Sequence, residues 1–215
     1  MRRWMILLLA TAALATAAEA GSKAREITGS FALEQGQDLR LDLSVGEIRV
    51  EGAAIDRVEI ELRVTCRWGS SEDCEELLEK VELESRTSAR RRIVEIVSDS
   101  SWRKTKLEIE GDFRVPRGVA LEVDMGVGEL TISGVAADVS ADLGVGELSI
   151  RMKRAAVRSV ALDAGVGEAK LLGAGTFVEG RRSMLVGSEV FWDEGEGEAR
   201  VRADVGVGEA TVYLE

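Results

Sequence analysis

Asp124-Met-Gly-Val-Gly-Glu-Leu-Thr-Ile132 is the stretch on which the fold turns. Its core, Asp-x-Gly-x-Gly-Glu, recurs intact at 142–147, 163–168 and 204–209, each time followed by a short alternating apolar tail. Relaxed copies stand at Asp42-Leu-Ser-Val-Gly-Glu47, Asp193-Glu-Gly-Glu-Gly-Glu198 and Val186-Gly-Ser-Glu189. Glu129, Glu147, Glu168, Glu189 and Glu209 follow one another by 18, 21, 21 and 20 residues. A period near 20 is the mark of stacked supersecondary units that cannot bury their apolar face alone. The expected fold is all-β: a single-chain parallel β-solenoid, β-helix-like, of ~20-residue rungs.

Within each copy the apolar parity changes. Val123, Met125 and Val127 share one parity, whereas Leu130 and Ile132 share the other. A strand cannot keep one face inward through such a change, so the chain must bend or bulge at Gly-Glu. The predicted corners are therefore Gly46-Glu47, Gly128-Glu129, Gly146-Glu147, Gly167-Glu168 and Gly208-Glu209. The other glycine of each copy is read as outward.

Stacking would align Glu129, Glu147, Glu168, Glu189 and Glu209 in one column and Asp124, Asp142, Asp163 and Asp204 in another. Like charges at rung spacing repel, by ~1 kcal/mol or less when exposed to water and salt. Two readings follow. The acids are corner chemistry on a solvated edge, bonding to nearby turn amides, or they form a calcium ladder of hard oxygen ligands. The spacing matches neither the calcium-binding nonapeptide nor the EF-hand pattern, so no metal and no cofactor is assigned.

Upstream, period-two alternation over 27–64 predicts more short strands, with 21–29 a polar leader. Glu47 and Glu129 lie 82 residues apart, about four repeat lengths, which suggests the same architecture with the hexapeptide worn away. One short helical insertion, 66–84, breaks the pattern. Its acidic run Glu72-Asp-Cys-Glu-Glu-Leu-Leu-Glu-Lys80 suits a helix N-terminus.

Arg2 and Arg3 precede an uncharged apolar run, Trp4 to Ala18, and Ala18-Glu-Ala20 places small residues where a signal peptidase reads. Residues 1–20 are read as a cleaved secretory signal peptide rather than a transmembrane anchor, the run being short of the ~20 residues a spanning helix needs. The domain reading is then 25–215, with no later membrane span, and an exported, periplasmic or extracellular location. Losing Arg2, Arg3 and Glu19 takes the net charge from −11 to −12. So acidic a chain argues against nucleic acid as a partner. Cys66 and Cys74 are the two cysteines. In an exported chain they read as a disulfide closing a short loop, with two free thiols as the alternative.

Val115-Pro-Arg-Gly-Val-Ala-Leu-Glu-Val-Asp-Met-Gly-Val-Gly-Glu-Leu-Thr-Ile-Ser-Gly134, with the recurring Val-Gly-Glu copies, resembles the bacterial toast-rack family, also called the "putative adhesin" family. The resemblance covers 115–215 well and 27–64 weakly; the cysteine-linked insertion departs from it. It implies a β-solenoid, usually right-handed, in envelope or exported proteins tied to surface attachment or envelope-stress sensing. It carries no catalytic residues.

The sequence holds no histidine, which removes Ser-His-Asp and Cys-His nucleophilic arrangements. Its acids repeat, whereas a catalytic pair stands out from its repeat. The expectation is therefore a non-enzyme: an adhesin-like interaction module whose partner is an envelope protein or glycan. The alternatives are an envelope-stress accessory or structural protein and, more remotely, a polysaccharide-acting enzyme on a β-helix. A basic cluster, Arg86, Arg90, Arg91, Arg92, Arg103, Lys104 and Lys106, is read as a solvated face or a contact for anionic polymers. The strand-like ending Val212-Tyr-Leu-Glu215 suggests an open solenoid end and end-to-end self-association.

Overall fold

A computed structural model describes residues 23–66, 71–97, 107–174, 178–179, 181–183 and 187–215. The signal-peptide reading of 1–20 lies outside them, as do Arg103, Lys104 and Lys106.

Five long strands form the centre. They are β2 (Asp38–Ala53), β7 (Leu121–Ser133), β8 (Val139–Met152), β9 (Val157–Leu172) and β13 (Ala199–Leu214). They run parallel in the order β2-β7-β8-β13-β9, with every hexapeptide in register: Gly46 opposite Gly128, then Gly146, Gly208 and Gly167. Each strand turns at its corner glycine, where φ lies between +138° and +153°. Beyond the corner the burial parity flips as the sequence demands, Leu121, Val123 and Met125 pointing inward before it and Leu130 and Ile132 after it.

The corner also divides the sheet. Before it, β2 pairs with β5 (Arg91–Val97), which pairs with β4 (Glu82–Ser88); β9 pairs there with β12 (Gly187–Trp192), and β12 with β11 (Arg181–Ser183). After the corner, β2 pairs with β6 (Leu107–Pro116), β6 with β3 (Arg57–Cys66), and β3 with β1 (Lys23–Ala32); at the far side β9 meets β10 (Val178–Glu179). The sheet is thus folded along its corner line, and the core fills the inside of the fold. In-register rows supply it, such as Leu41-Val123-Ala141-Ala203-Leu162 from one half and Val50-Ile132-Ile150-Val212-Leu171 from the other. All of these side chains are buried, and each large aliphatic one contributes ~1.5–3 kcal/mol by leaving water.

Four expectations are corrected. The chain is nearly all β, as expected, yet the sheet is mixed rather than an all-parallel stack, because β1, β3, β6, β10, β11 and β12 contribute antiparallel pairings. The segment between Glu47 and Glu129 is not four worn rungs. It builds the antiparallel flank and the helix α1 (Ser71–Glu79), and the chain then returns to set β7 directly beside β2. The polar leader is a strand from Lys23 onward, since its alternate residues pack on the flank. The C-terminal strand is no open end, for β13 is inserted between β8 and β9 and satisfies the ladders of both.

Helix α1 is tied down at both ends. Cys74 in its first half bonds to Cys66 at the end of β3, with a Cα–Cα distance of 5.8 Å. At its last turn, Arg25 of β1 donates to the carbonyl oxygens of Leu78, Glu79 and Val81 at 2.6, 3.1 and 3.0 Å. A guanidinium there adds a charged donor to carbonyls at and just beyond the last turn and complements the negative end of the helix dipole.

Candidate interaction surface

Because the copies are in register, the outer side of the fold is ruled into lanes crossing the strands. The first is acidic: Asp42, Asp124, Asp142, Asp204 and Asp163 lie opposite one another in turn. Flanking strands extend it at both ends, Glu95 of β5 pairing with Asp42 and Glu189 of β12 with Asp163. Glu189 therefore belongs to the aspartate lane and not to the glutamate column. The reason is direction: β12 runs antiparallel to β9, so its register is reversed. Residues 193–198 form no rung either; they are the loop leading into β13.

The second lane is bare. A Cβ added to Gly126, Gly144 or Gly206 would lie only 2.5–2.6 Å from the carbonyl oxygen of the neighbouring strand, so only glycine fits. Together with Ser44, Asp42, Asp124, Asp142 and Asp204 these glycines line an open groove of about 590 Å³, to which Glu95 and Ile96 of β5 also contribute.

The third lane was expected to point inward. Instead Val127, Val145, Val207 and Val166 stand 46–47% exposed, side by side on four adjacent strands. The bulge has to place one extra residue on the outside, and the valine next to the left-handed glycine is that residue.

The fourth lane holds the corner glutamates Glu47, Glu129, Glu147, Glu209 and Glu168, with Glu110 of β6 beside Glu47.

Cations neutralise these lanes only in places. Arg40 bonds Asp42 at 2.6 Å and Glu122 at 2.5 Å and pairs with Asp124; Arg202 bonds Asp204 at 2.7 Å. Across the corner, Arg49 pairs with Glu47, and Lys170 bridges Glu168 at 2.7 Å and Glu209 at 3.1 Å. Among the described residues, Asp142, Asp163, Glu129 and Glu147 form no ion pair within 4 Å, though the charge of Arg202 acts on Asp142 and Asp163 from further away. Burial pushes the Asp124 carboxyl above its ordinary range, against the opposing pull of Arg40; burial and the charge of Asp204 do the same to Asp142. Glu209 is held below its ordinary range by the hydrogen bond from Lys170 and a second from Thr211. Among the described residues, no three carboxylates converge on a metal-sized site.

No family model matches the chain, and no curated protein matches it. Solved structures do. A putative cell adhesion protein from Clostridium sporogenes aligns over 90% of this chain and 100% of its own, at 14% identity and a TM-score of 0.55. The two share a fold. A putative adhesin from Parabacteroides merdae aligns over 88% of this chain and 96% of its own at 10% identity, with a TM-score of 0.26. A putative lipid binding protein from Parabacteroides distasonis aligns over 91% and 98% at 9% identity, with a TM-score of 0.27.

Part of the basic cluster is engaged within the fold. Arg90 donates to the carbonyl oxygen of Gly36 at 3.0 and 3.2 Å, and Arg91 pairs with Glu122 at 2.9 Å. Arg92 reaches Thr87 and Ser85 and lies 4.8 Å from the Phe31 ring centroid. These three arginines bond within the molecule, Arg86 is exposed, and Arg103, Lys104 and Lys106 lie outside the described residues. Trp192 is buried, while its neighbour Phe191 is 69% exposed. Sequence reasoning missed Glu95, which has no hexapeptide around it, and set Glu189 in the glutamate column because Val186-Gly-Ser-Glu189 resembles a further copy. It also missed the valine lane, although the parity change announced that one residue per copy had to leave the core.

Proposed function

We propose that this protein is an exported, adhesin-like interaction module of a bacterial envelope, a toast-rack relative that acts through its outer surface and not by catalysis. One observation carries the reading. The same four lanes are repeated on neighbouring strands, which produces an extended patterned surface instead of a single pocket with one distinguished pair of groups. The likeness of fold to the Clostridium sporogenes protein supports it. On this reading the five bent strands are a short solenoid-like stack flanked by antiparallel strands, and the partner is an envelope protein or glycan.

The Cys66–Cys74 disulfide fits an oxidising, extracellular or envelope location, and among the described residues no helix is long and apolar enough to cross a membrane. Absence of histidine from the whole sequence favours a non-enzymatic role, since the commonest general base is missing. The test is attachment: purified protein immobilised on beads is presented with cell-envelope fractions, against beads coated with an equally acidic unrelated protein. Retention by the test beads alone is the expected result. Equal retention on both would end the adhesin-like reading and leave the envelope-stress accessory or structural role.

A further inference from the structure

The proposal above leaves the partner's chemistry open, and the lanes narrow it. Three features coincide along the corner. Four half-exposed valines form an unbroken apolar line. It runs for ~14 Å at the usual strand spacing. Acids border it on both sides, the aspartate lane before the corner and the glutamate lane after it. Glu129 and Glu147, adjoining Val127 and Val145, have no ion-pair partner among the described residues, and Asp142 across the bare glycine lane feels Arg202 and Arg40 only beyond ion-pair distance. Charge complementarity therefore asks for an apolar strip with cations on both of its flanks.

That specification excludes several occupants. Anionic lipid headgroups would meet two acidic rails. A second copy of this chain would set its own two acidic rails against these. A glycan would find no aromatic side chain in the valine lane to stack on. An extended peptide strand sends its side chains to two opposite faces, so with its apolar face down its cations would point to solvent. A helix differs: its side chains radiate, so an apolar stripe can face the valines while lysines or arginines on either flank reach down to the rails. Its diameter with side chains is ~10–12 Å, and about ten residues of it span the four valines.

We propose that the valine lane and its two acidic rails form the seat of a cationic amphipathic helix carried by a partner protein, lying along the corner and across the strands. This rests on the interaction-module reading and names the partner class for it.

The probe is a synthetic 18-residue peptide of leucine and lysine with a single leucine face, fluorescently labelled and titrated with the 215-residue chain by anisotropy. A permuted peptide of identical composition but no helical face is the control. The facial peptide is expected to bind at least tenfold more tightly than the permuted one. Two variants then separate lane from rails: Val127→Thr with Val145→Thr and Val207→Thr, and Glu129→Gln with Glu147→Gln. Both replace exposed or half-exposed side chains by near-isosteres, and their thermal melts check that they fold. Each variant is expected to weaken the facial peptide about tenfold or more, while binding of hepta-lysine falls only in the glutamine variant.

Equal binding of facial and permuted peptides would overturn the proposal, leaving only diffuse attraction between opposite charges. So would full retention of affinity in the threonine variant. Sedimentation showing a dimer that the threonine variant dissolves would also overturn it, by making a second copy the occupant. The bead assay for envelope attachment is run alongside: attachment without peptide binding sinks the helix seat alone, and loss of attachment sinks the parent reading.

Discussion

The carbonyl oxygen of Gly128 occupies the space in which a side chain on Gly146 would begin. The same relationship links Gly208 to Gly146 and Gly167 to Gly208, so the glycines record the order in which the strands lie. Gly146 also has φ +142°, a conformation an L side chain rarely adopts. Strain and collision act together here. Gly146→Ala is expected to destabilise the fold by about 3–4 kcal/mol, measured by urea denaturation. Gly118 supplies the control: nothing lies within 4 Å of a Cβ placed there, and Gly118→Ala is expected to stay within about 0.5 kcal/mol of the parent.

Charging Asp142 opposes folding. Burial and Asp204 raise its folded pKa above the unfolded value, so the folded state holds its proton to higher pH than the unfolded chain does. The contribution to stability is then present at low pH and is lost as pH rises through the unfolded and then the folded pKa. Asp142→Asn removes the charge that is costly at neutral pH. The site is partly solvated, so the gain is discounted to about 1 kcal/mol or less, or roughly 2–4 °C in melting temperature at most. The variant is expected to melt above the parent at pH 7, with the gap closing towards pH 3. Glu209 has the opposite sign: its lowered pKa stabilises at neutral pH and is lost on acidification. A gap that widened on acidification would refute the assignment.

Arg25 holds three carbonyls at the end of α1. Replacing it by Gln removes the charge and draws the donor back from the carbonyls, at a cost of about 1–2 kcal/mol. The loss is expected to be local. Hydrogen exchange should speed up for the amides of 71–79 and stay unchanged in β7, β8 and β13.

Reduction of the Cys66–Cys74 bond releases a short loop, with eight residues of separation. The chain-entropy model sets the loss near 2.5 kcal/mol. Adding a reductant under native conditions should lower the urea midpoint, and Cys66→Ser with Cys74→Ser should reproduce the shift and abolish any further response to the reductant.

What the sequence disclosed was local. The bend at Gly-Glu could be read because two glycines and a parity change sit within six residues, and the helix because its acidic first turn is contiguous. Strand order could not be read. Copies at 142–147, 163–168 and 204–209 are equivalent ladder partners, so nothing in the hexapeptide tells β9 from β13 as the neighbour of β8. Val186-Gly-Ser-Glu189 looked like a further copy for the same reason, yet Gly187 to Glu189 lie in β12, which pairs antiparallel with β9. Likewise, the parity change required that one residue leave the core but not that it be Val127. The lanes beyond the repeat, at Glu95 and Glu189, depend on pairings between distant segments that no local pattern encodes.

The insertion of β13 gives the strongest expectation for the fold as a whole. Were the last strand the end of a stack, its removal would cost one layer and leave a smaller cooperative unit. As it stands between β8 and β9, its loss unpairs both ladders and uncovers the aliphatic rows on either side, including Ala141 and Leu162. A chain ending at residue 198 is therefore expected to show no cooperative unfolding transition, monitored by circular dichroism in urea. Supplying residues 199–214 as a separate peptide should restore the transition, because the vacant position is bounded by parallel partners on both sides and selects one register through its corner glycines. A truncated chain that melts cooperatively without the peptide would show that β8 and β9 close on each other, and would overturn the strand order.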